Sequence, residues 1–213
     1  MEKAYKNVGY FLLLLIPLSF VGFYKSYLIQ FPDFKENFGI YIHLHAVIAL
    51  VWVLFLIVQP FLIRYNKNEL HRIVGKMSYG VFGLLILSFI PQIIRLFHSN
   101  DPRNVFFPLS DSILLLLFYG LAMYHKCDVS KHMRYMIGSS LVLLGPTIGR
   151  IGPYIFNLNA VITQNIQYGI TYLILARLIF YDRNKHKPYY PYVVVFVAYV
   201  FHQITFHLIF WNT

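Results

Sequence analysis

Seven apolar stretches, each about as long as a membrane-spanning helix, occupy most of this 213-residue chain. They lie near residues 8–29, 39–63, 73–97, 106–124, 134–157, 160–181 and 191–212. A spanning helix needs about 20 mostly apolar residues, and in hydrocarbon only helices and closed barrels satisfy the backbone polar groups. The stretches are too continuously apolar to be the alternating strands of a barrel. The sequence therefore predicts an all-α membrane protein, a seven-transmembrane helix bundle that forms a single domain over residues 1–213.

The composition leaves little material for a domain outside the membrane. Hydrophobic residues make up 58% of the chain and charged residues 12%, whereas soluble domains carry about 25% charged residues. The net charge of +10 would suggest a nucleic-acid partner in a soluble protein. Here the basic residues lie in the gaps beside helix ends, where anionic lipid explains them. We therefore expect the lipid bilayer as the partner, and no nucleic acid.

The basic residues also predict the orientation of the helices. They are concentrated in the second, fourth and sixth gaps, near residues 64–76, 126–134 and 183–187, while the other gaps carry little net charge. Cytoplasmic loops are the ones enriched in Lys and Arg. The alternation predicts an N-terminus inside the cell, a C-terminus outside it, and seven spans. Pro153, Asn157 and Asn159 mark the expected turn between the fifth and sixth helices.

Arg150 is the charged residue deepest in an apolar stretch, and it is the strongest single indication of a site. Ionisable groups inside a span usually face the bundle interior. Gly145 and Gly149 form a GxxxG pair, which permits close helix approach. We expect Arg150 to point inward, with extension to the outer interface as the alternative. Asp111 could pair with Arg150, or it could be the N-cap of a helix that starts near Pro108.

Several histidines are candidate ligands, because imidazole binds metals and haem and carries protons. On the outer side we expect His43, His45, His202 and His207, and on the cytoplasmic side His71 and His132. Positions i and i+2 of a helix point about 200° apart, so His43 and His45 cannot both face one partner. We favour His45 as the inward residue because it shares a face with Ala49 and Trp52.

A polar cluster opens the sixth predicted helix, where Asn165 and Gln167 accompany Thr163 and Gln164. Such amides either join helices or line a cavity. Together with Arg150 and Asp111, the two residues Asn165 and Gln167 would form a polar cavity in the outer leaflet. No His-Glu-x-x-His motif, Gly-x-Ser-x-Gly elbow or phosphate loop is present in the sequence, so the question of enzymatic activity stays open.

Five groups of residues carry a family resemblance: Val21-Gly22-Phe23 with Ser26-Tyr27, His43-x-His45-Ala46 with Trp52 and Gln59, Leu70-His71-Arg72-x-x-Gly75, His132-x-Arg134-x-Met136, and Gly145-Pro146 with Gly149-Arg150. On these residues the chain resembles, over nearly its whole length, a family of uncharacterised seven-helix bacterial inner-membrane proteins. The resemblance implies a multi-pass protein of the bacterial inner (cytoplasmic) membrane.

The His-Arg and His-x-x-x-Met segments are also similar to pieces of cytochrome-b-type and cytochrome-oxidase-assembly membrane proteins. This second likeness implies haem b between helices, and respiratory-chain or assembly proteins as partners. Its candidate ligands are His45, His202, His207, His71 and His132, with Arg150 on a haem propionate. Di-haem cytochromes place two histidines about four turns apart on one helix, and no predicted helix here has such a pair.

Three functional hypotheses follow from the sequence. The first is a haem- or metal-binding redox or cofactor-assembly protein, with His43, His45, Asp111 and His202 as the candidate ligands of a divalent metal. The second is a cofactor-free small-molecule or proton transporter, or a sensor, with an outer-leaflet polar cavity. The third is a membrane-embedded metal hydrolase, which would need a carboxylate beside several histidines at one depth.

Overall fold

A computed structural model of the chain describes residues 5–34, 39–98 and 101–210, with the backbone alone at Pro102. Every regular element in these ranges is helical, and no strand occurs in them. The α-helices are α1 (Val8–Leu13), α2 (Leu15–Tyr24), α3 (Ile40–Arg64), α4 (Asn68–Phe97), α5 (Pro102–Tyr124), α6 (Val129–Leu141), α7 (Leu144–Phe156), α8 (Ala160–Asn184) and α9 (Tyr190–Phe210). A short 3₁₀ helix covers Leu28–Gln30. The predicted helical class is confirmed.

Among the described residues, four helices are long and apolar enough to cross a membrane, by length and composition: Ile40–Arg64, Asn68–Phe97, Arg103–Tyr124 and Tyr190–Phe210. They are compatible with a helical membrane protein. They correspond to the second, third, fourth and seventh predicted stretches. The end of the stretch predicted at 191–212 lies outside the described residues.

Of the other three predicted stretches, two are divided into shorter helices and one is a single long helix. Residues 8–29 form α1 and α2 followed by the 3₁₀ turn. Residues 134–157 are divided between α6 and α7, because Pro146 has no N–H to donate to the carbonyl of Val142. That carbonyl instead accepts the N–H of Gly145 at 3.1 Å. The stretch at 160–181 is one long helix, α8, which carries the polar residues discussed below.

The chain divides into two compact units, residues 1–101 and residues 102–213. In the first unit α3 packs against α4 and α1. Its core contains Trp52, Leu56 and Leu85, all almost fully buried. Pro60 lies inside α3 and Pro91 inside α4.

In the second unit α5 packs against α6 and α9, and α8 packs against α7 and α9. The core side chains include Phe118, Tyr168, Leu175, Val195 and Phe206, each with no exposed surface. Small residues let the helices approach closely, which is how helices pack where no hydrophobic force acts between them. A Cβ added at Gly138 of α6 would lie 2.6 Å from the Cγ2 atom of Val195 on α9.

The turn between α7 and α8 is formed by two asparagines. Asn157 takes the left-handed conformation that ends α7, with φ 53°, a position that Asn tolerates better than most residues. The Oδ1 atom of Asn159 accepts the N–H of Ile162 at 2.7 Å and caps α8. The predicted turn at Asn157 and Asn159 is confirmed, whereas Pro153 lies inside α7.

Candidate functional site

A carboxylate, an imidazole and a phenol meet in the interior of the second unit. The Nε2 atom of His202 lies 3.6 Å from Oδ1 of Asp111, and the two side chains are only 4% and 15% exposed. The other ring nitrogen of His202, Nδ1, shares a 2.7 Å hydrogen bond with the hydroxyl of Tyr168. Asp111 comes from α5, His202 from α9 and Tyr168 from α8. The arrangement therefore joins three helices through groups that can exchange protons.

The position of Asp111 corrects one expectation. Helix α5 begins at Pro102, so Asp111 lies about two and a half turns inside the helix. The N-cap alternative for Asp111 is wrong, because the helix starts well before the apolar run does. The aspartate is instead directed toward Gly145 of α7, where an added Cβ would lie 3.5 Å from its Oδ2 atom.

The amides at the start of α8 continue the polar network from Tyr168 along the helix. The Nε2 atom of Gln164 donates to Oε1 of Gln167 at 2.8 Å. The Nε2 atom of Gln167 then donates to the hydroxyl of Thr171 at 3.1 Å. All three side chains are buried, so these contacts provide hydrogen-bond partners for polar groups that water does not reach.

A second set of polar contacts joins α8 to α9. The Oδ1 atom of Asn165 lies 3.1 Å from Nε2 of His207 and 3.4 Å from Nε2 of Gln203. The hydroxyl of Tyr172 donates to Oε1 of Gln203 at 2.7 Å and to the carbonyl of Tyr199 at 3.2 Å. Asn165 and His207, predicted separately, thus form one contact that joins two helices.

Arg150 lies near Asp111, but its 2.8 Å hydrogen bond is to its own helix rather than to Asp111. Its Nη1 atom donates to the carbonyl of Pro146 at 2.8 Å, one turn earlier in α7. The residue is half-buried, and its guanidinium is close enough to Asp111 for their charges to interact. The two glycines of the GxxxG pair differ in their surroundings. Gly145 faces Asp111, whereas a Cβ at Gly149 would meet nothing within 4 Å.

Two polar atoms inside the second unit have no hydrogen-bond partner among the residues that the structure describes. They are the hydroxyl of Tyr199 and the Nε2 atom of His202. The rings of Tyr199 and His202 lie 6.3 Å apart. A buried donor left without a partner is costly. The region around Asp111, His202 and Tyr199 therefore has unused hydrogen-bonding capacity.

The sequence analysis missed an ion pair that lies further along α8. Both Arg134 on α6 and Asp182 near the end of α8 are completely buried. The Nε atom of Arg134 donates to Oδ2 of Asp182 at 2.7 Å and Nη2 to Oδ1 at 3.1 Å. The remaining nitrogen, Nη1, donates to the hydroxyl and the carbonyl of Ser130. Arg134 falls in a gap predicted to be cytoplasmic, and the sequence contains no local signal that it meets Asp182.

Three of the other histidines, His43, His45 and His132, have local hydrogen-bond partners. In the first unit, Nδ1 of His43 lies 2.6 Å from the hydroxyl of Tyr27, and Nδ1 of His45 lies 2.8 Å from that of Ser88. The two histidines therefore contact different elements, as their i and i+2 spacing requires. In the second unit, Nδ1 of His132 lies 2.8 Å from the carbonyl of Ala122.

These positions test how well the chain fits a metal or a haem. Within the described ranges, no three His, Cys, Asp or Glu residues come together as a metal-binding group. The described residues therefore give no support to a metal held by His43, His45, Asp111 and His202 or to the hydrolase hypothesis, and both stay predictions. A haem iron would need ring nitrogens that face it, but His202 directs one nitrogen at Asp111 and the other at Tyr168.

No protein-family model matches the chain, and no match was found among curated proteins or solved structures. We therefore infer the function from the contacts of Asp111, His202 and Tyr168 in the second unit.

Proposed function

We propose that this chain is a cofactor-free inner-membrane transporter or sensor whose second unit binds a proton at Asp111 and His202. The single observation that carries the proposal is the 3.6 Å separation of their Oδ1 and Nε2 atoms in the protein interior. Ionisable groups inside a membrane protein are costly and commonly mark ion or proton pathways. Imidazole is a common proton carrier in proteins, and a carboxyl group is a second group that can bind a proton beside it.

The pair can bind or release a proton with little change in its surroundings. The carboxyl oxygen and the imidazole nitrogen face each other, so a proton bound by either group lies between the two side chains. Neutral imidazole donates from one nitrogen and accepts at the other. His202 can therefore take a proton on the Asp111 side while it remains hydrogen-bonded to Tyr168. Asp111, His202 and Tyr168 form the proton-binding group of the proposal.

Neighbouring charges and hydroxyls support this role. Arg150 is close enough to interact with Asp111, so the charge on the carboxyl group determines how strongly it attracts the guanidinium. The unpartnered hydroxyl of Tyr199 is a further donor in the same region. A proton arriving at Asp111 would weaken its attraction to Arg150. This coupling gives protonation a structural consequence on α7.

The proposal includes the topology inferred from the sequence. We infer seven spans, with the N-terminus inside and the C-terminus outside, in a bacterial inner membrane. In that orientation α5 enters from the outer side and α9 ends there, which puts Asp111 and His202 in the outer half of the membrane. The amides of α8 would then extend the polar site toward the membrane centre.

Infrared spectroscopy of the full chain in lipid nanodiscs tests the proton-binding site directly. Wild-type protein should show a protonated-carboxyl band whose intensity changes with pH. The near-isosteric Asp111→Asn variant should lack the band, and His202→Ala should move its midpoint. Glu69→Gln, which removes an exposed carboxyl at the start of α4, is the matched control and should retain the band.

Two results would overturn the proposal. The first is a full-intensity buried-carboxyl band, at a frequency distinct from that of the exposed carboxyls, that survives in Asp111→Asn. The second is a Soret band in the absorbance spectrum of the purified protein, which would support a haem instead.

A further inference from the structure

An apolar groove runs between α8 and α9 on the surface of the second unit. It has a volume of about 280 Å³ and is lined by Ala176, Ile179, Phe180, Arg183, Val193 and Phe196. Five of these six residues are apolar, and Arg183 supplies the single charge of the lining. The groove involves none of the residues of the Asp111 and His202 site.

Arg183 stands at one end of the groove because of helix periodicity. Residues three, four and seven positions apart lie on one face of a helix, so Ala176, Ile179 and Phe180 extend from Arg183 along α8. Seven residues correspond to about 10 Å of helix. The groove is therefore an apolar channel with a guanidinium at one end.

No neighbouring carboxylate in the sequence offsets this positive charge. Asp182 immediately precedes Arg183, but both of its oxygens accept hydrogen bonds from the buried Arg134. The residues that follow include Lys185 and Lys187, and Arg183 itself is exposed. The end of the groove therefore favours an anion.

Aromatic residues indicate how deep the groove lies. Tyr189 and Tyr190, at the start of α9, are exposed, and exposed Tyr residues at a helix end are typical of the membrane interface. Val193 and Phe196 follow about one and two turns deeper into α9. This places Arg183 at the level of the lipid headgroups and the apolar part of the groove beside the acyl chains.

We propose that this groove binds an anionic phospholipid, with the lipid phosphate on Arg183 and one acyl chain between α8 and α9. A guanidinium matches phosphate geometry with paired hydrogen bonds. Basic residues near the membrane surface each strengthen binding to anionic lipid by about fivefold. The occupant is a membrane lipid rather than a soluble anion, because most of the lining is apolar and can contact only a hydrocarbon chain.

Native mass spectrometry of the full chain, released from detergent with added phosphatidylglycerol or phosphatidylcholine, tests this site. Wild-type protein should retain phosphatidylglycerol in preference to phosphatidylcholine. Arg183→Gln should reduce that retention about fivefold. Arg177→Gln is the matched control, because Arg177 is also exposed on α8 but does not line the groove. It should leave retention unchanged.

Two further experiments distinguish a specific lipid site from non-specific electrostatic binding of anions. Ala176→Phe keeps every charge but fills the groove, and it should reduce phosphatidylglycerol retention as well. Inorganic phosphate at millimolar concentration should not displace the lipid. The proposal is overturned if Arg177→Gln and Arg183→Gln lose lipid equally, if Ala176→Phe has no effect, or if inorganic phosphate displaces the lipid. None of these results bears on the proton site, whose infrared test is separate.

Discussion

Arg134 and Asp182 form a two-pronged ion pair in the interior of the second unit, with neither side chain exposed. The pair joins the start of α6 to the end of α8, two segments 48 residues apart in the sequence. Ser130 supplies acceptors to the third guanidinium nitrogen. The charges are thus matched and hydrogen-bonded, which is the condition under which a buried ion pair is tolerated.

We expect removal of either charge alone to destabilise the protein strongly. Arg134→Met or Asp182→Leu leaves the other charge buried and unpaired, at a cost of about 3–5 kcal/mol. The double variant Arg134→Met with Asp182→Leu should recover much of this loss, because it leaves no charge behind. Equilibrium unfolding of the reconstituted protein measures all three variants.

A comparison on the same helix controls for the loss of charge alone. Arg177 is exposed on α8, and exposed ion pairs contribute about 0–1 kcal/mol. Arg177→Met should therefore have little effect. Single variants of Arg134 and Asp182 that unfold like the wild type would contradict the prediction, as would a double variant no more stable than either single one.

The helices could be predicted from the sequence, but their ends could not. Apolar runs mark the part of a helix that faces hydrocarbon, whereas backbone hydrogen bonding continues beyond them. Helix α6 begins at Val129 rather than at 134, and α8 ends at Asn184 rather than at 181. The additional residues of α8 include Asp182, and those of α6 immediately precede Arg134. Two charges that looked like loop residues are therefore buried against each other.

The sequence indicated several residues of the candidate site but not which of them contact one another. Asp111, His202, Asn165 and His207 were each singled out as polar residues in apolar stretches. Their pairing depends on α5 packing against α9 and on α8 packing against α9, and periodicity within one helix carries no information about which helix lies opposite. The same limit explains why the sequence offered a pair with Arg150 or an N-cap as the two alternatives for Asp111, whereas its close partner is His202.

A second prediction concerns the turn between α7 and α8. Gly152→Ala would place a Cβ in overlap with the side chain of Thr163, whose own Cβ would lie only 2.8 Å away. A branched side chain fixed this near the backbone cannot move aside, and overpacking of this kind costs about 1–3 kcal/mol. Thermal unfolding in detergent should show the loss.

The same helix provides the control for that substitution. An alanine Cβ at Gly149 would meet nothing within 4 Å, so Gly149→Ala should be neutral or slightly stabilising. Adding Thr163→Ala to Gly152→Ala should restore part of the stability. Equal effects of Gly149→Ala and Gly152→Ala would show that helix propensity, not the contact with Thr163, decides the result.

A third prediction concerns acid stability at the start of α6. Asp128 caps the helix by accepting the N–H of Lys131 at 3.2 Å, and its Oδ2 atom lies 3.0 Å from Nζ of Lys131. These contacts, the backbone hydrogen bond first, lower the pKa of Asp128. A lowered folded-state pKa gives stabilisation that is complete above the ordinary carboxyl pKa of about 3.9. It is lost as the pH falls through the lower folded value.

Asp128→Asn separates the charge from the cap. Asparagine caps helices about as well as aspartate but does not titrate, so this variant should lose less stability than the wild type between about pH 4 and pH 2. The measurement is the pH dependence of unfolding for both proteins. The difference should be small and should shrink with added salt, because the carboxylate is partly exposed. Identical acid profiles at low salt would contradict the prediction.

A fourth prediction concerns topology. Reporter fusions after positions 67, 127 and 185 should read as cytoplasmic, and fusions after positions 35, 102 and 158 should read as extracytoplasmic. The physical reason is the concentration of Lys and Arg in alternate gaps. An inverted reading at any one of these positions would contradict the topology from which the membrane depth of Asp111 and His202 is inferred.

The last prediction concerns Tyr168, which holds the far side of His202. Tyr168→Phe removes only the hydroxyl that lies 2.7 Å from Nδ1 and leaves a buried ring nitrogen without that partner, which costs about 1–3 kcal/mol. The ¹⁵N NMR shifts of the His202 ring should change, because the hydrogen bond at one nitrogen determines which nitrogen carries the proton. Tyr181→Phe, an exposed tyrosine on the same helix, should change neither stability nor these shifts. If Tyr168→Phe leaves the ¹⁵N shifts unaltered, the phenol does not orient the imidazole, and the proton-binding group consists of Asp111 and His202 alone.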